Sequence, residues 1–256
     1  MFSTTEITSN EIASDNPIHQ RLFFAYHQAA QIIKGEVLEI GCGVGRGLSA
    51  ILSNCSSYTA LDKNEELITL LQNQYPQHRF ITHNIPPLAS LEDESFDFVI
   101  TFQVIEHIPK DDFFVKEIHR VLKKGGKAIV STPNIKQSLT RNPWHIREYT
   151  AQELQALLAK YFVEVETFGV AGNEKVMQYH QENRLAVEKL KKWDILNLEQ
   201  NLPRWALQIP YDILNRMNRK KLLKNSNSLA AQIDYTDYFL SKTPDTALDL
   251  FYVASK

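Results

Sequence analysis

Residues 37–62 read VLEIGCGVGRGLSAILSNCSSYTALD, and the fold class follows from how this stretch is parsed. VLEI (37–40) is a short apolar run of the kind that lies buried on both faces of a parallel sheet. It enters glycines at 41, 43 and 45, then the helical stretch LSAILSN (48–54), then a second strand, YTAL (58–61). Parallel neighbours need a connection long enough to cross back over one face, so strand, turn, helix and strand form one crossover unit. The alternate glycines allow a sharp turn and leave no Cβ where a ligand must approach the backbone. Open α/β sheets bind their ligands at this place, the carboxyl end of the first strand.

The alternation continues outward. Strands are expected at RFIT (79–82), FDFVIT (96–101), KAIVST (127–132), FVEVETFGV (162–170) and LDLFYVA (248–254). Helices are expected at NEELITLLQNQY (64–75), DDFFVKEIHRVLKK (111–124) and AQELQALLAKY (151–161). A further helix, opened by Pro17, places Ile18, Leu22, Phe23, Tyr26, Ala30 and Ile33 at helical spacing before the first strand. The expectation is an α/β, doubly wound, Rossmann-like fold: a seven-stranded, mostly parallel sheet with helices on both faces. Residues 1–16 read as a flexible polar tail, 17–170 as the ligand-binding core, and 248–256 as a final strand returning to it. Between them, 171–247 is too long for a plain loop and reads as a helical insertion or lid before the last strand. Its helices fall around 175–198, 204–224 and 226–233, with Pro203 and Pro210 as breakers and a basic cluster at Arg216, Arg219, Lys220, Lys221 and Lys224. It is expected to lie over the carboxyl edge of the sheet or to form a homodimer contact.

Composition narrows the function. The 256 residues are 43% hydrophobic and 23% charged with a net charge of −2, which lacks the global cationic field of a duplex-binding protein. Apolar stretches break well short of the roughly 18 residues a membrane span requires, so no stable membrane insertion is expected. The polar N-terminus has no leader pattern, and the chain is expected to be cytoplasmic. Cys42 and Cys55 can form neither a disulfide framework nor a CxxC metal site.

The glycine turn is selective about its ligand. In a G-x-G-x-x-G fingerprint the sixth place would be Arg46 counted from Gly41, or Leu48 counted from Gly43, which weakens a dinucleotide reading. No G-x-x-x-x-G-K-[ST] run exists, which excludes a P-loop. Asp62 ends the second strand 21 residues after Gly41, where a carboxylate can accept from both hydroxyls of a ribose. Glu39, just before the turn, suits a cationic ammonium better than a pyrophosphate.

The run VLEIGCGVGRG, followed by Asp62, HNI (83–85), FDFVITFQVIEHI (96–108) and LKKGGKAIVSTPN (122–134), resembles the class I S-adenosylmethionine-dependent methyltransferases. It is similar to the small-molecule clade that includes quinone-biosynthesis methyltransferases. The resemblance covers about residues 19–168 and 248–254. It implies that Gly41, Cys42, Gly43 and Gly45 wrap the amino-acid end of S-adenosylmethionine, with Glu39 near its ammonium and Asp62 on its ribose. It further implies Asn84 at the adenine amine, Leu61 and Ile85 against the ring, and Gln103 and Val104 along the methionine portion. Tyr26 and Arg21 stand on the helix that covers the pocket in that clade, although Tyr26 also has the spacing of a core residue. His107 and His145 are the candidate general bases, next to predicted strand ends. The segment His145, Arg147, Glu148, Tyr149 and Thr150 resembles an H-x-R-E-[FY]-[ST] element that shapes the acceptor pocket. Thr150 and Glu153 have capping-box spacing, and an Arg147–Asp or Arg147–Glu148 pair would brace the loop.

The reading is a methyl transfer by in-line displacement to a small-molecule acceptor, at oxygen, with S-adenosyl-L-homocysteine as product and no metal. Two rivals stand beside it: an NAD-dependent oxidoreductase, and a non-catalytic binding module that keeps the fold.

Overall fold

The computed structural model describes residues 15–192, 201–225 and 229–256. The expected tail therefore lies outside the described residues, apart from Asp15 and Asn16, as do the end of the 175–198 helix and the start of the 226–233 helix. Strands β1 (Glu36–Ile40), β2 (Ser57–Asp62), β3 (Arg79–Thr82), β4 (Phe96–Phe102), β5 (Leu122–Pro133), β6 (Glu164–Gly172), β7 (Tyr238–Ser241) and β8 (Asp249–Ser255) form one sheet. Their order is β3-β2-β1-β4-β5-β8-β6-β7. The first five in that order are parallel, and β8 runs antiparallel to both β5 and β6. The sheet thus has eight strands among the described residues rather than the seven expected. The extra one, β7, pairs antiparallel with the end of β6 from within the expected insertion.

Helices α1 (Asn16–Ala30), α2 (Leu48–Ile51), α3 (Glu65–Gln74), α4 (Asp111–Val121) and α5 (Ala151–Leu158) cover the sheet. Alternation along the strands divides the core. Val37, Tyr58, Ile100, Ile129 and Phe251 pack with Phe24, Ala29, Leu48, Ile51 and Leu71, the side of α1, α2 and α3. Leu38, Ile40, Val99, Val130 and Leu250 pack with Phe114, Ile118, Leu154 and Leu158, the side of α4 and α5. Each fully buried side chain of this size stabilises by about 1.5–3 kcal/mol, which is why β1 is apolar on both faces. The exception is Glu39, whose parity puts it on the α1 side.

Helices α6 (Glu174–Lys191), α7 (Arg204–Asn225) and α8 (Leu229–Gln232) fill the insertion. Pro203 precedes α7, but Pro210 does not break it: the helix continues through, giving up one backbone donor. Because β1 lies between β2 and β4, the strand order reverses there. The carboxyl ends of β1 and β4 therefore open a crevice.

Candidate functional site

The turn after β1 is built by left-handed backbone at Gly41 (φ +83°), Gly43 (φ +51°) and Gly45 (φ +74°). A Cβ on Gly41 would lie 2.3 Å from Val104 Cγ2, so the loop after β4 closes directly on the turn. A Cβ on Gly43 would meet nothing within 4 Å, leaving open space above the backbone there. Asp62, at the end of β2, accepts from Gly43 N at 2.9 Å through one carboxylate oxygen and from Asn64 N at 2.9 Å through the other. Leu61 O accepts from Gly41 N at 2.7 Å, so β2 fixes the turn at two points.

Glu39 is 1% exposed beneath this turn. Tyr26 Oη donates to its Oε1 at 2.6 Å, and Tyr58 Oη donates to its Oε2. Burial raises the carboxyl above its ordinary value, and the two tyrosine hydroxyls oppose that rise. Tyr26 packs as a core residue, edge-on to Phe102 at 4.8 Å, and its ring lies against Gly47 in the turn. Of the other positions expected around the cofactor, Cys42 is buried, and burial pushes its thiol up. Leu61 is 0% exposed in the second core and presents no surface to an adenine ring. Its β-strand parity turns the side chain toward that core. Asn84 is exposed and Ile85 half-buried beyond β3.

After β4, Gln103 adopts left-handed backbone (φ +57°) and gives its N–H to Ser131 O at 2.9 Å. Its Nε2 is buried without a hydrogen-bond partner. Gln103, Glu106 and His107 form one wall of a cavity of about 280 Å³, roofed by α1 through Ile18, Arg21 and Leu22 and by α6 and α7 through His180 and Tyr211. Gln103 and Val104 thus separate two spaces, the glycine turn on one side and the cavity on the other.

Glu106 is the residue sequence reasoning missed as a candidate. It is 1% exposed, its Oε2 accepts from Thr132 Oγ1 at 2.9 Å, and its Oε1 has no hydrogen-bond partner among the described residues. Burial pushes its carboxyl up to about 7, with His145 and the hydrogen bonds holding it back. Asp249, which opens β8, lines the same cavity. It pairs with Arg21 at 3.0 Å through Oδ2, while Oδ1 is unpartnered. Both carboxylates interrupt otherwise apolar runs, FQVIEHI and LDLFYVA, which is the signal that could have found them.

The two histidines differ. His107 Nδ1 faces Trp144 O at 2.9 Å, a carbonyl that can only accept, so Nδ1 carries the proton and Nε2 is the acceptor nitrogen in the neutral ring. For His145, Asn142 Oδ1 accepts from Trp144 N, which orients the amide so that its Nδ2 donates to His145 Nε2 at 2.7 Å. His145 Nδ1 in turn meets Glu148 Oε1 at 2.7 Å. Both nitrogens of His145 are engaged in bracing the loop. Arg147 pairs with Asp111 at 2.6 Å, joined by Tyr149 Oη at 2.9 Å, and Thr150 with Glu153 forms the capping box at the start of α5. One ligand-type atom from each of Glu106, His107 and His145 lies within 4.8 Å of the others, a grouping that their sequence spacing does not reveal.

The turn, with its positive-φ glycines, its open face at Gly43 and Asp62 behind it, fits an adenosyl ligand. A family model described as a methyltransferase domain matches residues 38–130, the segment that carries all of these features. A relative from Mycolicibacterium smegmatis, described as a probable S-adenosylmethionine-dependent methyltransferase, is 39% identical over 174 residues, 65% of this chain and 67% of that protein. The chain belongs to the S-adenosylmethionine-dependent methyltransferases.

Further relatives of this methyltransferase include a phthiotriol/phenolphthiotriol dimycocerosates methyltransferase of Mycobacterium leprae, 29% identical over 169 residues, 64% of this chain and 61% of that protein. The matches thus span about two thirds of these relatives' length. They give no support to the quinone-biosynthesis branch of the resemblance. In structure, a SAM-dependent methyltransferase of Thermotoga maritima described as a possible histamine N-methyltransferase aligns with a TM-score of 0.59 at 16% identity, covering 96% of this chain and 95% of that one. The [4+2]-cyclase SpnF aligns at 0.54 and 17% identity, covering 93% and 81%. At such identities only the fold is shared, and SpnF's description as a cyclase indicates that the reaction must be argued from the site.

Proposed function

We propose that this methyltransferase alkylates a hydroxyl of a small amphipathic acceptor seated in the cavity behind Gln103. The observation that carries this reading is the unpartnered Oε1 of buried Glu106, in the cavity wall beside His107 and three residues from the Gln103–Val104 partition. When bound, S-adenosylmethionine supplies a methyl group on a sulfonium, a good leaving group. The chain's own task is mainly alignment, and proximity with orientation supplies up to roughly 7–11 kcal/mol in favourable systems. Gly41, Gly43 and Gly45 would hold the donor's amino-acid end through backbone, and Asp62 its ribose. Glu39, locked by Tyr26 and Tyr58, would carry negative charge beneath the ammonium and keep the turn in shape. Gln103 and Val104 would border the reacting centre.

Glu106 then accepts the hydroxyl proton as the new bond to oxygen forms, and His107 Nε2 serves as a second acceptor within the same wall. His145 positions rather than reacts, since Asn142 and Glu148 occupy its two nitrogens. The cavity's mixture of Ile18, Leu22 and Leu248 with Arg21 and Asn183 suits a molecule with an apolar body and a polar head. The relative from Mycobacterium leprae is named for a triol and a phenol, acceptors that carry hydroxyls.

The test is release of S-adenosylhomocysteine from purified protein supplied with S-adenosylmethionine and a panel of amphipathic alcohols, phenols and amines. Turnover of hydroxyl acceptors, lost in Glu106→Gln with donor affinity retained, is the expected result. Turnover confined to amines, or full activity in Glu106→Gln, would overturn the assignment. Saturable binding of NAD with none of S-adenosylmethionine would restore the oxidoreductase rival.

A further inference from the structure

We propose that α7 is a docking surface for an anionic lipid bilayer, lying flat in the headgroup layer with its opposite face over the cavity. Trp205, Ile209 and Ile213 recur every four residues, so they form one stripe along the helix. Their exposures are 76%, 72% and 53%, values that a helix packed on its own domain does not leave on three large apolar side chains in register. Another side of the same helix is engaged, since Tyr211 and Asn215 line the cavity.

Charge selects the occupant. Arg216 is exposed three residues beyond Ile213, on the same stripe. Across Arg204–Asn225 there are six cationic residues, Arg204, Arg216, Arg219, Lys220, Lys221 and Lys224, against the single acid Asp212, in a chain whose net charge is −2. A helix of cationic sequence with a tryptophan and two isoleucines on one exposed stripe matches an interfacial helix on anionic lipid, where aromatic rings sit at headgroup level and cations in the helix add attraction. A nucleic acid or an acidic protein would use the cations and leave the apolar stripe unexplained. No helix among the described residues is long and apolar enough to cross a membrane, so the contact is peripheral. The inference needs no identified acceptor and stands apart from the proton-transfer assignment.

The experiment is co-sedimentation of the full chain with sucrose-loaded vesicles of phosphatidylcholine alone and of phosphatidylcholine with phosphatidylglycerol. The parent is expected to pellet with the anionic vesicles and to come off as salt is raised. The triple variant Trp205→Ser, Ile209→Ser, Ile213→Ser is expected to lose at least about tenfold in vesicle affinity, about 1.4 kcal/mol. Its thermal midpoint and S-adenosylhomocysteine affinity should stay at the parent's values, because these side chains are outside the core and the donor site. Trp205 fluorescence should shift to shorter wavelength with the anionic vesicles. Failure to pellet with either vesicle overturns the proposal. Anionic binding untouched by the triple variant, or equal retention on heparin with no Trp205 shift, would make α7 a general polyanion patch and overturn it equally.

Discussion

Glu106 holds a carboxyl in a place where ionisation is costly, and the direction of its pH effect can be worked out. An ordinary glutamate titrates near 4.5, and this one is raised to about 7 by burial. Between those values the folded chain holds a proton that the unfolded chain has released, so stability falls as pH rises through that window. The cost is complete above pH 7 and absent below 4.5. Glu106→Gln keeps an acceptor for Thr132 and removes the charge. Denaturant unfolding should find the variant more stable than the parent at pH 8, by up to about 3 kcal/mol, and equal to it at pH 4. Asp62 is the second residue whose replacement separates hypotheses. Asp62→Ala removes the acceptor for Gly43 N and Asn64 N as well as the proposed ribose partner, so calorimetry should show S-adenosylhomocysteine binding weakened by on the order of 1.5–3 kcal/mol. Unchanged affinity would place the ribose elsewhere.

Among the elements, two local devices have definite expected effects. Thr150 accepts from Glu153 N at 3.2 Å and Glu153 accepts from Thr150 N at 2.8 Å. Thr150→Ala should lower stability by about 1 kcal/mol in thermal or urea unfolding, without touching donor affinity. Gly47 precedes α2, and a Cβ there would lie 1.9 Å from the Tyr26 ring. Gly47→Ala must move α1 off the turn, so unfolding experiments should find about 1–3 kcal/mol lost, together with weaker donor binding. These elements also show where sequence reading succeeds. The order of β1 to β6, the glycine turn and the capping box are all encoded over a few residues, in alternation, in helical spacing or in a short motif. The cavity is not local: Arg21, Glu106 and Asp249 come from the first helix, the fourth strand's exit and the last strand. β7 was hidden because YFLS is only four residues with no partner nearby in sequence; its partner, the end of β6, lies some seventy positions earlier. The burial of Leu61 is likewise a matter of strand parity, which a motif fixing its place at the end of β2 does not show.

For the whole molecule, the feature with the widest reach is α1. Its Tyr26 donates to Glu39 and abuts Gly47 at the donor turn, while Pro17, Ile18, Arg21 and Leu22 wall the cavity, with Arg21 tied to Asp249. One helix therefore borders both the glycine turn and the cavity. With donor and acceptor on its two sides as proposed, any coupling carried by α1 acts by the same factor in both directions. Titrating acceptor into protein saturated with S-adenosylhomocysteine and into bare protein should give affinities differing by the same ratio as the reverse titration. Arg21→Met, which cuts the helix loose from β8, should shrink that ratio toward one. A ratio above one would mean that each substrate, once seated, holds the other in place, with a single helix as the wall both lean on.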